Sequence, residues 1–478
     1  MTGAAAGPGA DYQRVWRDLL ANFWTGGPDG HCVWTWFGFA SEATAAAGRA
    51  PTHVRGAVRD RAAQHGTPDL WNRMHLMDVV YWHHRYRGLA DADRASAARM
   101  LAGDFAEVVR IFGPDVLTQG DNTAVVNASD DSAWEALYYL QVHEVTGDHR
   151  AIDIAGALVI NTRNFFRSPN DSADGVYYWR PGSPRPIISS LYEVGLAIAC
   201  VQLYQRRGDR NFLATAVNSY RWMRQRLVHP AVPALGWPEG GYYCELDLDP
   251  RHTDPAAYYR YLKPVGSITP EQIRRAASVG FLGGSLGMAV LATLLYRETG
   301  DAGYRRDVLR TLRAVLAKFT VQDTTLAHRV LLNDRDAWTE AYFVPAFVAE
   351  VLLPLADDAE AGNAVREMLA VVANTAVSIM ANCRTPDGYY SADWNRGAPG
   401  DPTWTARGQV DTDENIGMAV AQQVMTSAQA GLVVLGAAIA EAGAYEAPHD
   451  GRDDAPPAAP AVWDRRGSGT ARGGWPWA

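Results

Sequence analysis

The stretch Asn127-Ala128-Ser129-Asp130-Asp131-Ser132-Ala133-Trp134-Glu135-Ala136-Leu137 sets two adjacent carboxylates just ahead of an amphipathic pattern with helical spacing. Two kinds of work suit such a pair. If the pattern is a helix, Ser129 or Asp130 serves as its N-cap: a short oxygen side chain accepts from an orphan backbone N–H, and negative charge suits the positive end of the helix dipole. Alternatively the pair does chemistry. Two carboxyl groups flanking a glycosidic bond, one a nucleophile or base and its neighbour an acid, are the usual means of cleaving it. The dipeptide alone does not separate these readings, so the elements that hold it must.

Those elements are helical. Asp11 to Trp24 carries Tyr12, Val15, Trp16, Leu19, Leu20 and Phe23 at spacings of three and four, one apolar stripe, and Gly26 to Gly30 stops it. Trp71 to Tyr86 and Asp93 to Phe112 read as further helices, the second ended by Gly113-Pro114. Beyond the Asp pair, helix, short Gly-Asp turn and helix recur: Trp134 to Val145 and Ile152 to Phe166 around Gly147-Asp148, Ile187 to Gln205 and Phe212 to Leu227 around Gly208-Asp209, and Val279 to Arg297 and Tyr304 to Phe319 around Gly300-Asp301. Glycine takes the left-handed position that ends one helix, and aspartate caps the next. Trp338 to Leu353 with Glu360 to Met380, and Ile416 to Ala442 closing back on the amino-terminal helix, complete six hairpins. The turn glycines are unequally spaced, which argues against a uniform solenoid. No convincing run of alternating strands occurs. The expected fold is all-α, an (α/α)6 toroid whose inner and outer layers bury each other's apolar stripes. It is expected to occupy residues 1–446, with the Pro/Ala/Gly-rich segment 447–478 a disordered or loosely docked tail.

Composition narrows the function. Hydrophobic residues make up 47% and charged ones 20% of 478 residues, ordinary for a chain with a large core. The formal charge is −9 and no Lys/Arg cluster alternates with aromatics, so nucleic acid is not an expected partner. Cys32, Cys200, Cys244 and Cys383 form no metal spacing and read as reduced, mostly buried thiols. His75, His83 and His84 lie close in sequence, but none of their spacings is the i, i+4 that turns two imidazoles toward one ion. No metal and no cofactor is expected. The amino end lacks a basic then apolar leader and no run of 18 apolar residues occurs, so the chain is expected to be cytoplasmic, without a membrane partner.

Aromatic residues and carboxylates gather between the hairpins. Trp34 and Trp36 lie in Cys32 to Phe39, a segment too aromatic for an ordinary surface loop; Tyr178 and Trp179 follow Asp174-Gly175; Trp237, Glu239 and Tyr242 lie in Gly236 to Tyr243; Asp393 and Trp394 close Asp387 to Trp394; Asp413 sits in Asp411 to Asn415. With Asn127 and Trp338 these are the candidate binding residues, a groove of rings and acids if all open on one mouth of the ring. Each taken singly also reads as loop-anchoring packing.

Several of these stretches together resemble glycoside hydrolase family 76, the endo-α-1,6-mannanases. The matching pieces are Asn127 to Trp134, Tyr178-Trp179 leading into Ile188-Ser189-Ser190-Leu191, Ser278 to Asp301, Val372 to Trp394, and Ala419 to Gly431. The resemblance implies an (α/α)6 fold and retaining cleavage of α-mannosides, with Asp130 as nucleophile and Asp131 as acid/base. Retaining enzymes hold these carboxyls about 5 to 5.5 Å apart, a distance to which neighbours at an irregular helix start can splay. The first 120 residues match less clearly, and Leu246 to Glu271, with Tyr258-Tyr259-Arg260-Tyr261, is an insertion that reshapes or covers the groove.

The expected function is a retaining glycosidase for α-1,6-linked manno-oligosaccharide or mannan, or for a related small glycoside, working as a monomer or small homo-oligomer. Transglycosylation at the same site and a non-catalytic sugar-binding toroid are the alternatives. A sugar epimerase would need a base pair over the ring, and no histidine pattern supplies one.

Overall fold

Gly147, Gly208 and Gly300 decide where the chain folds back. The computed structural model describes residues 7–25, 30–32, 70–112, 129–165, 187–243, 245–247, 282–323, 326, 328–331, 341–384, 388, 390, 394 and 416–443. The three glycines have φ of 72°, 69° and 71°, left-handed backbone that a Cβ would strain. Each donates its N–H at 2.8 Å to a carbonyl four residues back, on His143, Tyr204 and Tyr296. Asp148, Asp209 and Asp301 then accept from the N–H groups of Arg150, Asn211 and Gly303 at 2.9, 2.9 and 2.7 Å, capping the next helix.

Among the described residues, twelve helices make up the ring. In order they are α1 (Pro8–Phe23), α2 (Leu70–Arg85), α3 (Asp91–Phe112), α4 (Ser129–Thr146), α5 (His149–Phe165), α6 (Ser190–Arg207), α7 (Arg210–Arg226), α8 (Leu282–Thr299), α9 (Ala302–Lys318), α10, α11 (Gly362–Ser378) and α12 (Ile416–Ala442). Helix α10 starts at Val344–Ala346 and continues through a π-helical stretch, Phe347–Leu352, and a 3₁₀ turn, Leu353–Leu355. Helices α2, α4, α6, α8, α10 and α12 pack side by side in that order, and α12 packs on α2 to close the ring. The others lie outside: α3, α5, α7 and α9 each on the inner helix before them, α11 on α10 and α12, and α1 on α12. The amino-terminal helix is thus the outer partner of the last inner one, as the sequence leads one to expect.

Layer position explains composition. Inner α8 is buried without break from Leu282 to Leu295, because it has neighbours on every side. Outer α7 and α9 bury one stripe, Phe212, Ala216, Tyr220 and Met223 in α7, and turn arginines outward. Gly362–Cys383 is apolar and long enough to cross a membrane, and here packs as the outer layer against α10 and α12.

The structure departs from the sequence reading in three places. Helix α4 starts at Ser129, ahead of Trp134, so Asp130 and Asp131 lie within its first turn. Ile187–Ser189 is not the start of α6 but a strand, β3, paired antiparallel with β4 (Glu245–Asp247). Two more short pairs join β1 (Trp24–Thr25) to β2 (His31–Cys32) and β5 (Thr320–Gln322) to β6 (Arg329–Leu331). Residues 447–478 lie outside the described residues.

The inner helices all end at the face carrying the tight turns, and that face is locked by charge. Arg85, Arg206 and Arg297 stand in the last turns of α2, α6 and α8, where a cation meets the negative end of the helix dipole. Glu144 of α4 bonds Arg206 at 2.7 Å, and Glu350 of α10 bonds Arg297 at 2.5 Å. Arg85 lies 3.9 Å from both carboxylates, and Tyr81 donates to Glu144 at 3.1 Å. The opposite face, where the inner helices begin, is the mouth.

Candidate active site

Asp131 is a half-buried residue in the first turn of α4, at the mouth of the ring. Asp130 precedes it in the same turn, so the pair lies inside the helix and neither residue is the N-cap. The capping alternative fails for Ser129 too, whose buried Oγ has no hydrogen-bond partner among the described residues. The first turn of α4, the positive end of its dipole, thus carries two consecutive acids.

Below the pair, rings from different inner helices cross the bore. Trp134, three residues after Asp131 and 1% exposed, lies with its ring centroid 4.4 Å from that of Tyr342 and 5.7 Å from that of Phe343. His75 of α2 stands edge-on to Tyr342 at 5.7 Å, and burial pushes its imidazole down to about 3, keeping it neutral. Close approach of the backbones makes room for these rings. A Cβ on Gly195 would come within 3.3 Å of Trp134, and one on Gly287 within 2.7 Å of Phe343 and 2.8 Å of Val194.

Beneath this floor the bore stays polar. Gln141 of α4 donates through Nε2 to Asp78 Oδ1 at 2.6 Å. Burial raises the Asp78 carboxyl to about 8, against the opposing Gln141 bond, so it is held protonated at neutral pH. Toward the outer layer, Arg73 pairs with Asp104 of α3, which also accepts from Tyr138 at 2.8 Å. The guanidinium lies 4.6 Å over the Tyr138 ring. Burial opposes the charge on Arg73, but Asp104, Tyr138 and Glu135 outweigh it and hold the group firmly protonated. Glu135, one turn beyond Asp131, is 1% exposed. From the first turn of α4 inward, the ring thus holds an aromatic layer and then a charge-locked far end.

The binding candidates divide by place. Trp34, Trp36, Asn127, Tyr178, Trp179, Trp338, Asp393 and Asp413 lie outside the described residues. Trp237, Glu239, Tyr242 and Trp394 are described, and the last three make contacts with the outer helices α7, α9 and α11. Glu239 bonds Arg224 of α7 and Arg310 of α9 at 3.4 and 3.2 Å. Tyr242 is buried; its N–H donates to Ser285 Oγ at 3.0 Å, and Tyr220 and Thr311 adjoin its hydroxyl. Trp394 is fully buried, its carbonyl accepting from Ser378 of α11 at 2.7 Å. Trp237 is half-buried, edge-on to His229 at 6.1 Å. These contacts are of the kind the loop-anchoring alternative describes. Large rings next to glycine give the hairpin connections a core of their own, and Tyr390 repeats the device, its N–H donating to Ser427 Oγ at 3.2 Å.

An open cleft of about 620 Å³ also lies outside the ring, between α7 and α9. Arg224, Glu239, Arg306 and Asp307 line it; Arg224 pairs with both acids, and so does neighbouring Arg310.

Asp78, Glu135, Gln141 and Tyr342 are not among the sequence candidates, and His75 is there only as a metal ligand set aside on its spacing. A signal for them existed: 75, 78 and 85 on α2, and 131, 135, 141 and 144 on α4, are polar positions recurring at helical spacing in otherwise apolar helices. Such a buried polar stripe marks a bore.

No protein-family model and no curated protein matches the sequence. Solved structures do match the fold. An inactive variant of the α-1,6-mannanase of Salegentibacter sp. HEL1_6, with two consecutive aspartates changed to asparagine and α-1,6-mannotriose bound, aligns with a TM-score of 0.55 at 16% identity over 89% of this chain and 99% of its own. A family 76 glycoside hydrolase from a bovine Bacteroides thetaiotaomicron strain gives 0.57 at 14% identity over 92% and 79%. The family 76 mannosidase of Bacteroides thetaiotaomicron VPI-5482 gives 0.54 at 11% over 90% and 98%. The chain has the fold of the family 76 glycoside hydrolases along about nine-tenths of its length.

Proposed function

We propose that the protein is a retaining glycosidase acting on α-mannosides, in the first place α-1,6-linked manno-oligosaccharide or mannan. Asp131 protonates the leaving oxygen while the Asp130 carboxylate attacks the anomeric carbon, which breaks the glycosidic bond and forms a glycosyl ester. Asp131, now ionised, takes a proton from water as that water attacks the same carbon; the ester breaks and both carboxyls return to their starting states.

One observation carries this reading: an Asp-Asp pair in the first turn of an inner helix at the toroid's mouth. The mannanase neighbour is inactive when two consecutive aspartates are replaced, and it holds α-1,6-mannotriose in that form. The sequence has two other Asp-Asp pairs. Asp357-Asp358 lies between α10 and α11, at the end opposite the mouth, with Asp358 bonded to Arg305 at 2.6 Å; Asp453-Asp454 is outside the described residues.

The test is incubation with α-1,6-mannan and short α-1,6-manno-oligosaccharides, separating the products by chromatography, alongside Asp130→Asn and Asp131→Asn. Products from the wild type that vanish in both variants support the assignment. Binding without products would favour the sugar-binding alternative.

A further inference from the structure

The hairpin 227–243 leads from outer helix α7 to the mouth and is clamped on the end of α9. Its arms exchange backbone bonds, Gly240 N–H to the His229 carbonyl and His229 N–H to the Gly241 carbonyl, both at 3.0 Å. Gly240, with φ of 125°, lies so near α9 that a Cβ would come within 3.0 Å of the Arg310 carbonyl oxygen. Two residues beyond the hairpin begins β4, whose partner β3 runs directly into α6 at the mouth. Whatever holds the hairpin therefore holds this part of the rim.

Lys318, the last residue of α9, lies beneath the hairpin and is 3% exposed. Its Nζ donates to the Gly240 carbonyl at 2.7 Å and stands 3.0 Å from Nδ1 of His229. The same Nδ1 is 2.8 Å from the Pro230 carbonyl oxygen. One ring nitrogen cannot serve both neighbours in both charge states of the amine. With a neutral amine, the Nδ1 proton lies between the Pro230 oxygen and the Nζ lone pair, and every polar atom is served. An ammonium has no lone pair and needs that of Nδ1, so the ring proton must move to Nε2, and Pro230 loses its donor.

The surroundings favour the neutral form. Glu239 is the nearest carboxylate, and it is engaged by Arg224 of α7 and Arg310 of α9. Tyr243 covers His229 with ring centroids 4.9 Å apart, and beyond α9 Arg329 donates to the Leu316 carbonyl and Thr320. Burial lowers the Lys318 amine to about 7, with Glu239 opposing. Burial, with Lys318 adding to it, lowers His229 to about 4.

We propose that Lys318 and His229 form a proton-operated latch: the neutral pair holds the hairpin, and through it the β3–β4 rim, against α9, and proton uptake by Lys318 releases it. Both are positioning residues, set back from the Asp pair. Opening exposes Lys318 to water, where its affinity for a proton is that of an ordinary lysine, so opening takes up a proton between about pH 7 and pH 10 and closing is favoured as pH rises through that range.

Hydrogen exchange of the full chain, read by mass spectrometry on peptides covering 236–247 and corrected for intrinsic rates, tests this from pH 6 to pH 9. Protection is expected to rise at least tenfold between pH 7 and pH 9, and Lys318→Met is expected to abolish the rise. Nitrogen NMR of His229 in the wild type needs no variant and is expected to show the ring proton moving from Nδ1 to Nε2 as pH falls below 7. Unchanged wild-type protection, an unchanged pH response in Lys318→Met, or a fixed tautomer each overturn the latch. None of these readouts uses glycosidase activity, so a failure of that reading is separately visible.

Discussion

Replacing Asp78 by asparagine is expected to stabilise the protein at neutral pH and to lose that advantage as the pH falls toward 4. The carboxyl is buried in the bore, with Oδ1 accepting from Gln141 at 2.6 Å and Oδ2 without a partner among the described residues. Burial raises it from an ordinary 3.8 to about 8. Between those values the folded protein keeps a proton that the unfolded chain has given up. Stability is therefore fully present below about pH 4 and is lost as pH rises toward 8, at about 1.4 kcal/mol per pH unit. The interval from 3.8 to 7 gives a loss of up to about 4 kcal/mol at pH 7. Asparagine keeps the acceptor for Gln141 and does not titrate. Urea denaturation of both proteins at pH 5, 6, 7 and 8 measures the difference, which should widen in favour of the variant by about 1.4 kcal/mol per unit. A difference that stays constant with pH, or a variant less stable at pH 7, would mean that Asp78 is ionised and paired, and would refute the reasoning.

Three other changes test the layers separately. Glu144→Gln removes the carboxylate that Arg206 bonds and Arg85 approaches, and should cost about 3–5 kcal/mol in urea denaturation, because buried cations are left without it. Gly287→Ala forces a methyl against Phe343 and Val194 and should cost about 1–3 kcal/mol, read as a lower thermal midpoint. Tyr242→Phe should leave KM for a manno-oligosaccharide within about twofold while lowering stability by about 1 kcal/mol, since its hydroxyl lies between the layers beside Tyr220 and Thr311.

The fold was legible because its punctuation is local. A glycine that must go left-handed and an aspartate that must cap the next helix are chemical requirements of single residues, and the turns at 147, 208 and 300 meet them. Helix α12 keeps the expected bounds, Ile416–Ala442, since no proline interrupts it. Ile187–Ser189 was not legible as a strand: its partner is nearly 60 residues away at Glu245–Asp247, and an apolar run has the same look in a buried helix. The site was half legible. Adjacent acids before Trp134 stand out by type, but whether Tyr242 or Trp394 faces a ligand or a neighbouring helix depends on the layer its loop packs against, which residue type does not encode. The bore went unread because its polar positions are spread over separate helices and become one surface only when the ring closes.

The most direct test of the central claim is the rate of α-1,6-manno-oligosaccharide cleavage by the wild type, Asp130→Asn and Asp131→Asn, with folding of each checked by circular dichroism. The account predicts cleavage by the wild type with retained anomeric configuration and a fall of at least about 10³-fold in each variant, the scale of a lost covalent or acid/base step. Cleavage that persists at near wild-type rate in either variant would contradict it.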